Sequence, residues 1–79
     1  MGVIMKFSLE ILADYVFVIR VTNETGKFTR FRIKDLETVM SLIIKEKEDI
    51  TNISKGLFKA FVASDLLEYN SKDVVFLMS

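Results

Sequence analysis

The chain contains no cysteine, histidine, proline or tryptophan. Without cysteine there is no disulfide framework and no thiolate metal site. A secreted domain of 79 residues would often need such staples, so the composition favours an intracellular, cytoplasmic setting. Without histidine, the commonest general base and the commonest zinc ligand are lost together. Without proline, only three glycines and the Asn, Asp and Thr clusters punctuate the chain.

Catalytic signatures are also lacking. No GxSxG, HExxH, P-loop or GxGxxG pattern occurs. Catalysis would have to rest on Asp, Glu, Lys, Tyr or Ser. The densest carboxylates, Glu46, Glu48 and Asp49, belong to "KEKEDI". There they interleave with Lys45 and Lys47, which reads as a solvated, ion-paired helix end. The expectation is a non-enzyme with no catalytic residues, no metal site and no small-molecule cofactor.

Charge of one sign does not dominate: eleven cations balance eleven anions. Overall attraction to nucleic acid or anionic lipid is not expected, and only a local patch could supply it. Every apolar run is broken by charge within about ten residues, too short to span a membrane. The opening "MGVIMKFSLE" lacks a basic n-region followed by a long apolar segment, so it does not read as a signal peptide.

Apolar residues are abundant, at 51% with seven Phe. That is enough for one compact core, and residues 1–79 read as a single α+β domain. Val3 to Ile11 alternates, with Val3, Met5, Phe7, Leu9 and Ile11 on one face and Lys6, Ser8 and Glu10 on the other. "LAD" makes a short connection. Tyr15 to Val21 is a second strand, with Tyr15, Phe17, Ile19 and Val21 sharing a face.

Glu24-Thr25-Gly26 suits a three-residue hairpin loop with Gly at a left-handed position. It sets Val21 opposite Thr29, Ile19 opposite Phe31 and Phe17 opposite Ile33. A four-residue loop would oppose Ile19 to Arg30, and a one-residue slip turns every side chain to the wrong face. The same reasoning at the first connection favours Ile11 opposite Tyr15, Leu9 opposite Phe17 and Phe7 opposite Ile19.

Asp35 reads as a helix N-cap, with Leu36, Val39, Met40, Ile43 and Ile44 at helical spacing behind it. A second helix carries Leu57, Phe58, Phe61, Val62, Leu66 and Tyr69, with Gly56 in its first turn or at a bend. "YNSKD" reads as a loop, and "VVFLM" as a short terminal strand, in the core or paired with a partner. The predicted order is β-β-β-α-α-β, a three-stranded antiparallel meander with helices on its apolar face.

One stretch stands out. In "KFTRFRIK", Lys27 to Lys34, cations alternate with apolar residues. With the register above, the outer face of the sheet carries the rows Lys6–Arg20–Arg30, Ser8–Val18–Arg32 and Glu10–Val16–Lys34, with Phe28 toward the hairpin tip. Like charges directly opposite each other oppose folding, a cost sometimes kept because a partner neutralises it. The candidate partner-binding residues are Lys6, Arg20, Phe28, Arg30, Arg32 and Lys34.

The plain alternative is a solvated face whose cations block unwanted strand pairing. Two functions compete with it. The first is a non-catalytic protein-interaction module: a small regulator, inhibitor or accessory protein of a larger complex, with self-association as a dimer among its forms. Small neutral domains of this kind are common among accessory proteins of mobile elements. The second is nucleic-acid binding, with cations on phosphates and Phe28 stacking on a base.

Overall fold

The computed structural model describes residues 5–70. Strands β1 (Met5–Ala13), β2 (Val16–Asn23) and β3 (Phe28–Ile33) form an antiparallel meander. Helices α1 (Leu36–Lys45) and α2 (Lys55–Ala63) follow. A two-residue strand β4 (Leu67–Glu68) then pairs antiparallel with β3, so the sheet order is β1-β2-β3-β4. The expected α+β order is thus present. The "VVFLM" run, residues 74–78, lies outside the described residues, and β4 comes from a segment the helical pattern had claimed.

The β2–β3 hairpin has the expected register: Val21 pairs with Thr29 and Ile19 with Phe31. Gly26 takes φ +88 in its loop. The Asn23 side chain ties that loop together, accepting from the Thr25 and Lys27 backbone N–H groups and from the Thr25 hydroxyl.

The β1–β2 register differs from the expectation by two residues. Phe7 faces Val21, Leu9 faces Ile19 and Ile11 faces Phe17. The pairing then shifts, so that Ala13 faces Val16 and Leu12 is the extra residue on β1. Asp14 and Tyr15 form the turn, and Tyr15 takes φ +64 instead of opening β2. A two-residue shift keeps every side chain on its own face, so the apolar pattern cannot distinguish the two registers.

The core lies on the odd-numbered face. Phe7, Ile19, Val21, Phe31 and Ile33 pack with Val39 and Ile43 of α1 and with Leu57, Phe58 and Phe61 of α2. The Phe58 ring joins the layers, 4.7 Å from Phe7 and 5.7 Å from Phe31 between centroids. The aromatic stripe of α2 is therefore core.

Local chemistry sets the helix ends. The Asp35 carboxylate accepts from the Thr38 N–H and hydroxyl, which holds its pKa below the ordinary value. Ser54 caps α2 by accepting from the Leu57 N–H, and Gly56 sits in the first turn. α2 stops at Ala63 because Asp65 turns left-handed at φ +56, and Leu66 donates its N–H back to the Phe61 carbonyl. Leu66 and Leu67 still enter the core, but from the chain that returns to the sheet.

Among the described residues, the "KEKEDI" carboxylates do not form the expected helix-end ion pairs. Glu48 accepts from the Ser54 N–H at 2.6 Å, and Asp49 accepts from the Thr51 N–H and hydroxyl. They brace the loop after α1, which runs beside β1 through two backbone bonds, Leu9 N–H to the Ile50 carbonyl and Ile53 N–H to the Phe7 carbonyl. Among the described residues, no helix is long and apolar enough to cross a membrane.

A candidate interaction surface on the outer sheet face

The even-numbered side chains of the strands point away from the helices. The observed register arranges them in three rows: Lys6–Thr22–Phe28, Ser8–Arg20–Arg30 and Glu10–Val18–Arg32–Glu68. The expected Lys6–Arg20–Arg30 row does not form. Ser8 takes the place of Lys6, which removes one like-charge contact. Glu10 moves into the row beside Arg20 and Arg30, diagonal to Arg20 on the neighbouring strand and reached by the long Arg30 side chain from across β2.

That shift changes the electrostatics of the face. Arg30 Nε donates to Glu10 Oε1 at 2.8 Å, and Arg20 Nη1 donates to Glu10 Oε2 at 3.4 Å. One carboxylate bridges two guanidiniums that stand directly opposite each other. The bond from Arg30, reinforced by the charge of both arginines, keeps the Glu10 pKa below the usual carboxylate value despite some desolvation. A row expected to oppose folding is instead an ion-paired cluster.

Phe28 belongs to the same cluster. The Arg20 guanidinium lies 4.1 Å from the Phe28 ring centroid and that of Arg30 lies 4.6 Å away. Such cation–π contacts hold planar guanidiniums in place at little entropic cost. The isolated aromatic on the charged face is thus an arginine rest.

The remaining candidates separate. Lys34 pairs with Asp65 at 2.8 Å, which raises its pKa and ties it to the end of α2. It is spent on the turn into β4. Arg32 faces Glu68 across the β3–β4 pair, and Lys6 faces Thr22. Neither Arg32 nor Lys6 makes an ion pair among the described residues. Arg20, Phe28 and Arg30 are brought together, Arg32 and Lys6 flank them, and Lys34 is set apart. Glu10 is the member of this cluster that the sequence-based candidate set left out. Comparing the charge rows of the two registers, as well as their apolar faces, would have found it.

A second surface lies at the β1–β2 turn. Ile11, Leu12 and Tyr15 are exposed, Tyr15 at 91%. Ile11, Ala13, Asp14, Tyr15 and Phe17 line a shallow groove of about 350 Å³. No protein-family model, curated protein or solved structure matches the chain.

Proposed function

We propose that the protein is a non-catalytic interaction module, a small cytoplasmic regulator or accessory protein that docks on a larger protein through the outer face of its sheet. The reading rests on the Arg20–Phe28–Arg30 cluster. Two arginines are preorganised against a ring, with Arg32 and Lys6 beside them. Arginine and aromatic anchors of this kind concentrate binding energy at protein interfaces. In the three rows, four cations stand against two carboxylates, Glu10 and Glu68, an excess of two on one face of a neutral chain. Complementary charge would speed and orient association with an acidic partner.

Base stacking is less well served, because both guanidiniums already lie against the Phe28 ring. Self-association is a further form of the protein-binding reading, supported by the exposed apolar turn at Ile11, Leu12 and Tyr15.

Affinity capture from the native host, with and without nuclease, tests the reading. A captured protein that survives nuclease and is lost with Arg32→Glu supports it. Capture that disappears with nuclease supports nucleic acid instead. Capture unchanged by Arg32→Glu and Arg30→Glu leaves a solvated face. Light scattering that shows a monomer at all concentrations removes the dimer form.

A further inference from the structure

The Glu10 carboxylate is shared unequally. It bonds Arg30 at 2.8 Å but Arg20 only at 3.4 Å. A guanidinium offers five N–H donors in a fork that fits a carboxylate two bonds at a time. One carboxylate cannot serve two such forks fully. Arg20 Nε is buried and has no hydrogen-bond partner among the described residues. An orphaned, charged donor of this kind carries a desolvation penalty. With two guanidiniums sharing the single Glu10 carboxylate, the cluster is one anion short.

We infer that the outer sheet face is a docking site for a carboxylate-rich protein segment, and that Glu10 is an internal stand-in which an incoming carboxylate displaces or joins. This deepens the reading above and rests on it. Charge complementarity selects the occupant. Arg20 and Arg30 are short of anion, and Arg32 and Lys6 extend the positive surface along the neighbouring rows. The anion already held there is a carboxylate, so the geometry for that group exists. Phe28 holds both forks in place before the partner arrives.

Glu10 also sets specificity. A weakly acidic surface gains little by competing with an internal carboxylate at effectively high concentration. Only a segment presenting several carboxylates, able to reach Arg32 and Lys6 as well, replaces it with net gain.

The test uses the full chain and a fluorescein-labelled deca-glutamate peptide, with an oligo-dT of equal length as the phosphate probe. Anisotropy is read at about 0.01 M salt, where charges interact over about 30 Å. Wild type is expected to bind the peptide weakly. Glu10→Gln should tighten binding about tenfold. Removing any acid from the face raises attraction, so Glu68→Gln is the control. It changes charge equally but leaves the Arg20–Arg30 cluster untouched, and about a twofold gain is expected. Glu10→Ala repeats the test without a competing amide, and circular dichroism checks that each variant is folded.

Equal gains from Glu10→Gln and Glu68→Gln overturn the stand-in role while leaving the face reading intact. No binding by wild type or either Glu10 variant overturns the carboxylate site. If capture in the host is also insensitive to Arg32→Glu, the face reading falls with it. Tight, steeply salt-dependent binding of oligo-dT without peptide binding transfers the site to phosphates.

Discussion

The two hairpins of the sheet end in turns whose last residue is left-handed, but one places Gly26 there and the other Tyr15. Gly reaches φ +88 without steric cost, and a Cβ built on Gly26 would meet no atom within 4 Å. The Asn23 side chain then adds three hydrogen bonds across the loop. Tyr15 has neither advantage. A non-glycine residue in this region costs about 1–2 kcal/mol, and Tyr15, at 91% exposure, recovers little by packing.

The strands feeding the turns differ in the same direction. Ile19 and Phe31 pair under both helices and are fully buried, whereas Ile11, paired with Phe17, is 66% exposed. One hairpin is built for stability. The other keeps strain and apolar surface at its tip, a combination associated with binding sites.

The largest effect expected from this contrast is on the buried hairpin. Phe31→Ala should cost about 3–5 kcal/mol in denaturant unfolding, while Ile11→Ala should stay within about 0.5 kcal/mol. Similar losses at both positions would show that the first hairpin is also covered in solution. Next, Asn23→Ala should cost about 1–2 kcal/mol by removing the loop bonds.

A smaller change of opposite sign is expected at the other turn. Tyr15→Gly should stabilise the domain by about 0.5–1 kcal/mol, read as a rise in Tm of a few degrees. A loss of stability there would mean that the Tyr15 ring contributes packing.

The last expectation concerns Glu10, which links the two hairpins through Arg20 and Arg30. Its pKa is held below 4.5 in the folded protein. Its contribution is complete above that value and is lost as pH falls through the folded pKa. Thermal melts across acidic pH should therefore show a shallower acid loss in Glu10→Gln than in wild type. Identical slopes would assign the acid sensitivity to Asp35, Glu48 and Asp49, whose pKa values are depressed by hydrogen bonds from Thr38, Ser54 and Thr51.

How much was legible follows the same division. Gly26 and the alternation around it specify the β2–β3 hairpin to the residue, because any odd slip would bury Arg30. The Asp35 cap and the apolar spacing mark α1, and the Leu57–Phe61 stripe behind Gly56 marks α2. The β1–β2 turn was obscured because Tyr15 stands where glycine is the usual signal. The end of α2 was obscured for a related reason. Asp65 makes the left-handed turn without a glycine, and Leu66 continues the helical spacing while belonging to the return toward the sheet.

Composition and periodicity alone determined the α+β class, the two faces of the sheet and the cationic character of the outer one. These depend on one-dimensional patterns: side chains alternate along a strand and recur every three or four residues along a helix. Only the tertiary structure decided which cation meets which anion. Two registers offset by two residues bury the same side chains, so hydrophobic burial cannot choose between them. The observed one brings Glu10 to Arg20 and Arg30 and seats both guanidiniums on Phe28. Contacts between strands distant along the chain made a charged row into a site.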